Sequence, residues 1–80
     1  MSRFLLHNRH EPSECGVTYA AFKGHASPLR RRQTASSCRS GGHEIWWLVD
    51  AEDAAAALAL LPSYVAARCT VTPVRDVLIP

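Results

Sequence analysis

His43-Glu44-Ile45-Trp46-Trp47-Leu48-Val49-Asp50, followed by Ala51-Glu52-Asp53 and the apolar run Ala54 to Leu61, is the stretch that decides the fold. From His43 to Val49 aromatic and β-branched residues predominate and no breaker interrupts them, which predicts a strand. Side chains alternate across a strand, so His43, Ile45, Trp47 and Val49 share one face while Glu44, Trp46 and Leu48 share the other. Each face carries a tryptophan. Beyond Val49 the pattern becomes helical: Asp50 can cap, Glu52 and Asp53 fall in the first turn, and alanines and leucines follow.

On the N-terminal side of this stretch, Ser40-Gly41-Gly42 predicts a tight hairpin turn, because paired glycines supply the positive φ angles it needs. The turn joins a weakly marked second strand, Gln33 to Cys38. His25 to Arg32 contains Ser-Pro and three consecutive arginines and reads as a loop. Before it lies a first helix, about Glu14 to Lys23, with Val17, Ala20 and Ala21 at helical spacing, Ser13 as its cap and Gly24 at its close. Arg3 to Asn8 is a first strand, with Phe4 and Leu6 opposed to Leu5 and His7. On the C-terminal side Pro62 interrupts the second helix ahead of a short turn, Ser63 to Arg68. Val71 to Ile79 is a last strand, with Pro73 marking an edge or a bulge.

The order is strand, helix, strand, strand, helix, strand within one domain, residues 1–80. It predicts an α+β ferredoxin-like βαββαβ sandwich, a four-stranded antiparallel sheet with both helices on one face. The first and third strands are apolar on both sides, so the uncovered face would not be polar. An exposed tryptophan-leucine face is an aggregation liability on a monomer, so a sheet-to-sheet homodimer is expected.

Eighty residues enclose one small core, which rarely supplies more than about 3–5 kcal/mol without a staple or a partner. The balance of 48% hydrophobic to 20% charged residues excludes a disordered chain. Ala54 to Leu61 falls far short of the roughly 20 apolar residues of a membrane span, and no signal-peptide pattern follows Met1, so a cytosolic protein is expected. Three irregularly spaced cysteines do not form a disulfide framework, and reduced thiols are expected. The net charge of +2 is unevenly spread: residues 1–42 hold seven basic and two acidic groups, residues 43–80 two basic and five acidic. The run Arg30-Arg31-Arg32, with Arg39, lacks interleaved aromatics and reads as a solvated loop rather than a nucleic-acid surface. Dinucleotide, phosphate-loop and serine-elbow motifs are absent, and the carboxylates sit mostly in capping positions, which argues against paired-carboxylate catalysis.

All four histidines and two of the three cysteines fall within the first 43 residues. Imidazole and thiolate bind transition metals and move protons near neutral pH. The spacing His7-x2-His10-x4-Cys15-x9-His25-x12-Cys38-x4-His43 matches no zinc finger or ribbon. The predicted topology still gathers part of it. His7 and His10 close the first strand, Cys15 opens the first helix, and Cys38 and His43 flank the glycine turn. With the first and third strands antiparallel neighbours, His43 comes beside His7 or His10. The candidate metal ligands are therefore His7, His10, Cys15, Cys38 and His43, a nitrogen and sulfur set suited to nickel, copper or zinc. Cys15 near a helix start can alternatively be an activated thiol or simply a small buried hydrophobe, and Cys69 reads as packing. Lys23, His25 and Arg30 can hold an anionic ligand at a cleft mouth, and Trp46 and Trp47 can stack on an aromatic one or serve core and interface.

The whole-chain topology, the segment His7-Asn8-Arg9-His10 and the passage Trp46-Trp47-Leu48-Val49-Asp50-Ala51-Glu52 resemble the dimeric α/β-barrel superfamily. Its members include YCII-like and muconolactone isomerase-like proteins, cofactor-independent monooxygenases of antibiotic-biosynthesis type, and small bacterial proteins of which some bind nickel. The resemblance implies a homodimer with a cleft, and no single reaction, since the fold hosts many. Two readings follow. One is a homodimeric accessory or metal-handling protein that binds a transition metal or small ligand. The other is a cofactor-independent monooxygenase, isomerase or cyclase, with His7 or His43 as general base and Trp46 or Trp47 shaping an apolar pocket.

Overall fold

A computed structural model describes residues 1–80. The chain runs β1 (Ser2–Arg9), a single 3-10 turn (Pro12–Glu14), α1 (Cys15–Ala20), β2 (Ala35–Ser36), a second 3-10 turn (Cys38–Ser40), β3 (Glu44–Ala51), α2 (Ala54–Leu58), α3 (Ser63–Ala66) and β4 (Cys69–Val74). The strands form one sheet in the order β2-β3-β1-β4, with every neighbouring pair antiparallel. This α+β arrangement is compatible with a ferredoxin-like fold. No helix is long and apolar enough to cross a membrane.

The alternation read from the sequence sets the layers. Phe4, Leu6 and Asn8 of β1 and Ile45, Trp47, Val49 and Ala51 of β3 are buried on one face. Ala57 of α2, Leu61 of the link after it and Val65 of α3 close over them. On the other face β1 places Leu5 opposite Leu48 and His7 opposite Trp46. Leu48 is 59% exposed there.

The helices are shorter than the sequence pattern suggests, and their caps differ. The first begins as the 3-10 turn rather than with Ser13 as cap: the Glu11 backbone N–H donates to Glu14 Oε1 at 2.9 Å, a capping-box contact. In the second, Asp53 takes the role assigned to Asp50, its Oδ1 accepting the Ala56 N–H at 2.8 Å, because Asp50 is still paired with Arg3 in β3. β4 spans Cys69–Val74 rather than Val71 to Ile79. Pro73 supplies no N–H to a ladder, and Val77, Leu78 and Ile79 lie exposed beyond it.

β2 is reduced to Ala35–Ser36, and just before it Thr34 Oγ1 donates to the Trp46 carbonyl at 2.6 Å. The connection to β3 is longer than the tight turn expected. Gly41 is left-handed at φ 84°, as is His43 at φ 54°, while Gly42 does not have positive φ. Gly42 serves close approach instead: a Cβ there would lie 2.4 Å from Ser37 Oγ and 2.7 Å from Ser37 Cβ. Ser37 is not free to yield, because its Oγ accepts the Glu44 N–H at 3.1 Å and its N–H donates to the Glu44 carbonyl at 2.8 Å.

Gly42→Ala is therefore expected to lower stability by about 1–3 kcal/mol through overpacking. Gly16→Ala, on a helical position whose Cβ meets nothing within 4 Å, is expected to raise it by about 0.5–1 kcal/mol. Urea midpoints of the two variants measured side by side test the pair.

Candidate metal centre

His10 continues β1 beyond Arg9, and its backbone N–H donates to the His43 carbonyl at 3.2 Å, which places the two histidines opposite one another where the strands end. Their rings lie 5.8 Å apart at an interplanar angle of 70°. Cys15 opens α1 and Cys38 opens the 3-10 turn before Gly41. One ligand-type atom from each of His10, Cys15, Cys38 and His43 lies within 4.8 Å of every other. A tetrahedral ion with bonds of about 2.0–2.3 Å to N and S needs ligand separations of roughly 3.3–3.8 Å. The Cys38 Sγ to His10 Nε2 distance, 3.3 Å, is already at that value.

The His10 ring is oriented through Asn8, which is fully buried. Asn8 Nδ2 lies 3.4 Å from the Val65 carbonyl and 3.3 Å from the Arg68 carbonyl, so it donates to both and the amide has one orientation. Asn8 Oδ1 is then the atom 2.7 Å from His10 Nδ1, and an amide oxygen only accepts. His10 Nδ1 therefore carries the proton. In the neutral ring the Nε2 lone pair is bare and faces Cys38. A metal-binding histidine is commonly set in this way, by an acceptor on its other nitrogen.

Cys15 is positioned by its neighbour. Glu14 Oε2 accepts hydrogen bonds from Tyr64 Oη at 2.9 Å and Arg68 Nε at 3.0 Å, which ties the start of α1 to α3. The backbone hydrogen bond within the first turn, then Tyr64 and Arg68, hold the Glu14 carboxyl at about 2, so it stays ionised. Thr18, fully buried, donates its hydroxyl to the Glu14 carbonyl at 2.8 Å.

The two thiols are unequal. Burial works to raise the Cys38 thiol, but hydrogen bonds from Ser36, Tyr19, Cys15 and its own backbone outweigh that and bring it below the ordinary thiol value. Cys15 moves upward, through burial and then the hydrogen bond and charge of Cys38. The pair thus holds its first negative charge on Cys38. Tyr19 Oη and Ser36 Oγ are 2.8 Å apart beside it. Cys69, paired with Asn8 across the sheet but outside the four-residue cluster, is pushed up to about 11 by burial, against a hydrogen bond from Asn8 that lowers it.

One further atom bears on occupancy. His43 Nδ1 is buried and has no hydrogen-bond partner. Leaving such an atom unsatisfied costs about 1–3 kcal/mol, a cost that a ligand reaching this nitrogen would remove. On the cysteine side the site is open: Cys15 and Cys38 line a groove with Tyr19, Thr34, Ser36 and Arg39.

Of the five expected ligands the structure brings four together and leaves His7 apart. His7 projects from the opposite face of β1, stacked on Trp46 at 5.1 Å, with its Nε2 2.6 Å from Glu44 Oε1. That contact first, and Arg9 second, lower the Glu44 carboxyl. Trp46 is on the same open face, whereas Trp47 is buried against Phe22 at 6.0 Å. Lys23, Arg30 and Trp47 line one cavity, and His25 does not join them; its Nε2 is buried without a partner. Asn8, Tyr19 and Ser36 complete the site and were not legible as its members, although Asn8 was visible as a polar residue on the core face of an apolar strand. Comparison with known families, curated proteins and solved structures finds no match to this chain.

Replacing Asn8 with leucine, close in shape but without polar atoms, is expected to cost about 1–3 kcal/mol because it strips the Val65 carbonyl and His10 Nδ1 of their partner. It is also expected to weaken metal binding about 10–100-fold. Urea denaturation and chelator competition read the two effects. In metal-free protein, iodoacetamide is expected to label Cys38 at lower pH than Cys15 or Cys69, since only Cys38 is shifted downward. Peptide mass spectrometry across pH 6–10 checks that order.

Proposed function

We propose that this domain binds a single transition-metal ion through His10, Cys15, Cys38 and His43 and acts in metal handling or as an accessory protein. The observation that carries the reading is the convergence of two imidazoles and two thiols, with the His10 tautomer set by Asn8 so that its free lone pair faces Cys38. A four-ligand set of two nitrogens and two thiolates suits zinc best, with nickel and copper as competitors. The buried His10 and the half-buried His43 would hold the ion on one side while the cysteine side adjoins an open groove, an arrangement that favours exchange with a partner over a sealed structural role. The ion would also act as a staple, since only 13 of 80 residues are buried.

The open sheet face supports a second part of the proposal, a sheet-to-sheet homodimer. Leu5, Trp46 and the exposed Leu48 form its apolar centre, and the pairs Arg3–Asp50 and His7–Glu44 border it.

Native mass spectrometry of tag-free protein, before and after chelation, reads metal and assembly together. One ion per chain is expected, retained in His7→Ala and lost in a Cys15→Ser, Cys38→Ser double variant. Near pH 7 loading releases the proton of Cys15 and whatever fraction Cys38 still carries, about one to two in all. Metal-free protein after zinc loading, or stoichiometry unchanged in the double variant, would falsify the metal reading. A monomer at micromolar concentration would remove the dimer and leave the metal site standing.

A further inference from the structure

A second hollow lies across Tyr19 and Thr34 from the cysteines, between the end of α1, the 25–34 loop and the core-side face of β3. It is a solvent-open cavity of about 210 Å³. Phe22, Leu29, Ile45 and Trp47 form its apolar walls. Lys23, Arg30, Arg31 and Arg32 contribute four cations to the same cavity, and none of them is ion-paired within the chain.

The loop is built to keep this arrangement. Ser27 Oγ accepts the Leu29 N–H at 3.2 Å and the Ser27 carbonyl accepts the Arg30 N–H at 3.3 Å, closing a turn that inserts Leu29 against the core. The turn ends with Arg31 at φ 61°, a left-handed conformation that a side chain other than glycine adopts at a cost. Three adjacent guanidiniums beside a lysine repel one another, and an anion seated among them relieves that repulsion. A bare anion would leave the apolar walls against water. An apolar body with one anionic end satisfies both parts.

We propose that this cavity is a binding site for a small organic acid, a carboxylate on a body of about one aromatic ring, with the ring against Trp47 and Phe22 and the carboxylate among Lys23 and Arg30–Arg32. The size is sufficient: an enclosed cavity of about 150 Å³ accommodates benzene, so this one has room for a single ring with a short acidic arm. The site is separate from the metal ligands and stands or falls without them.

Calorimetric titration with 3-phenylpropionate tests it, with 3-phenylpropanol and inorganic phosphate as the apolar-only and charge-only probes. The acid is expected to bind at least tenfold more tightly than either. Lys23→Gln with Arg30→Gln is expected to weaken the acid at least tenfold and leave the alcohol unchanged. Arg31→Gly suits the backbone angle, so it is expected to keep or raise the melting temperature while weakening the acid; a purely structural role for Arg31 would leave the titration unmoved. Equal binding of acid and alcohol, or variants without effect on the acid, overturns the proposal. So does binding of a single-stranded oligonucleotide through the same arginines with none of the acid. Metal content is measured on the same samples: protein that binds the acid but never metal defeats only the metal reading, and the converse defeats only this one.

Discussion

A buried amide on the central strand holds the molecule's chemistry in place. Asn8 has no exposure, and every polar atom of its side chain is used: the carbonyls of Val65 in α3 and of Arg68 in the turn after it accept from Nδ2, and Oδ1 accepts from His10. A buried polar group of this kind is costly unless satisfied, so the strand, the turn and the histidine must assemble together. The Arg68 carbonyl also accepts the Arg9 backbone N–H at 3.1 Å, and the Arg68 side chain reaches Glu14 and so the start of α1. One short turn thus supports His10 and Cys15 at once.

The remaining two candidate ligands, Cys38 and His43, are placed by the loop between β2 and β3. Gly41 and His43 are both left-handed, and the latter costs about 1–2 kcal/mol for a residue with a side chain. Strain of that size persists where the surroundings over-determine it, as functional sites often show. Here the Ser37 bonds to Glu44 and the His10–His43 backbone bond fix both ends of the loop. A bound ion would add a fourth constraint, linking the ends of β1 and β3 to α1 in a protein whose core is small.

Charge is distributed to match. The N-terminal half is basic, and the two thiols are the anionic groups that a metal would neutralise. The hydrogen bonds of Ser36 and Tyr19 favour ionisation of Cys38 before a metal arrives, and the raised value of Cys15 keeps the pair from carrying two unpaired charges. Tyr19 borders both the thiol groove and the basic cavity, so the two hollows share a wall.

Strand alternation was legible in the chain because a period of two needs only local sterics: the buried faces of β1 and β3 follow it residue by residue. The same rule separates His7 from His10, three positions apart on one strand, so that only one can face the cysteines. The paired spacing His10-x4-Cys15 and Cys38-x4-His43 is likewise visible, though nothing local says that the two pairs meet. Helix lengths, the shortened β2, the true caps and the strand end at Val74 depended on tertiary competition for the same backbone groups. Asp50, for example, remains in the sheet because β1 pairs with it. Residue type and the strand period specify which side chains can bind a metal and put His7 and His10 on opposite faces; the convergence of four of them comes from the antiparallel pairing of β1 with β3 and the Asn8 anchor, which act across residues far apart in the chain.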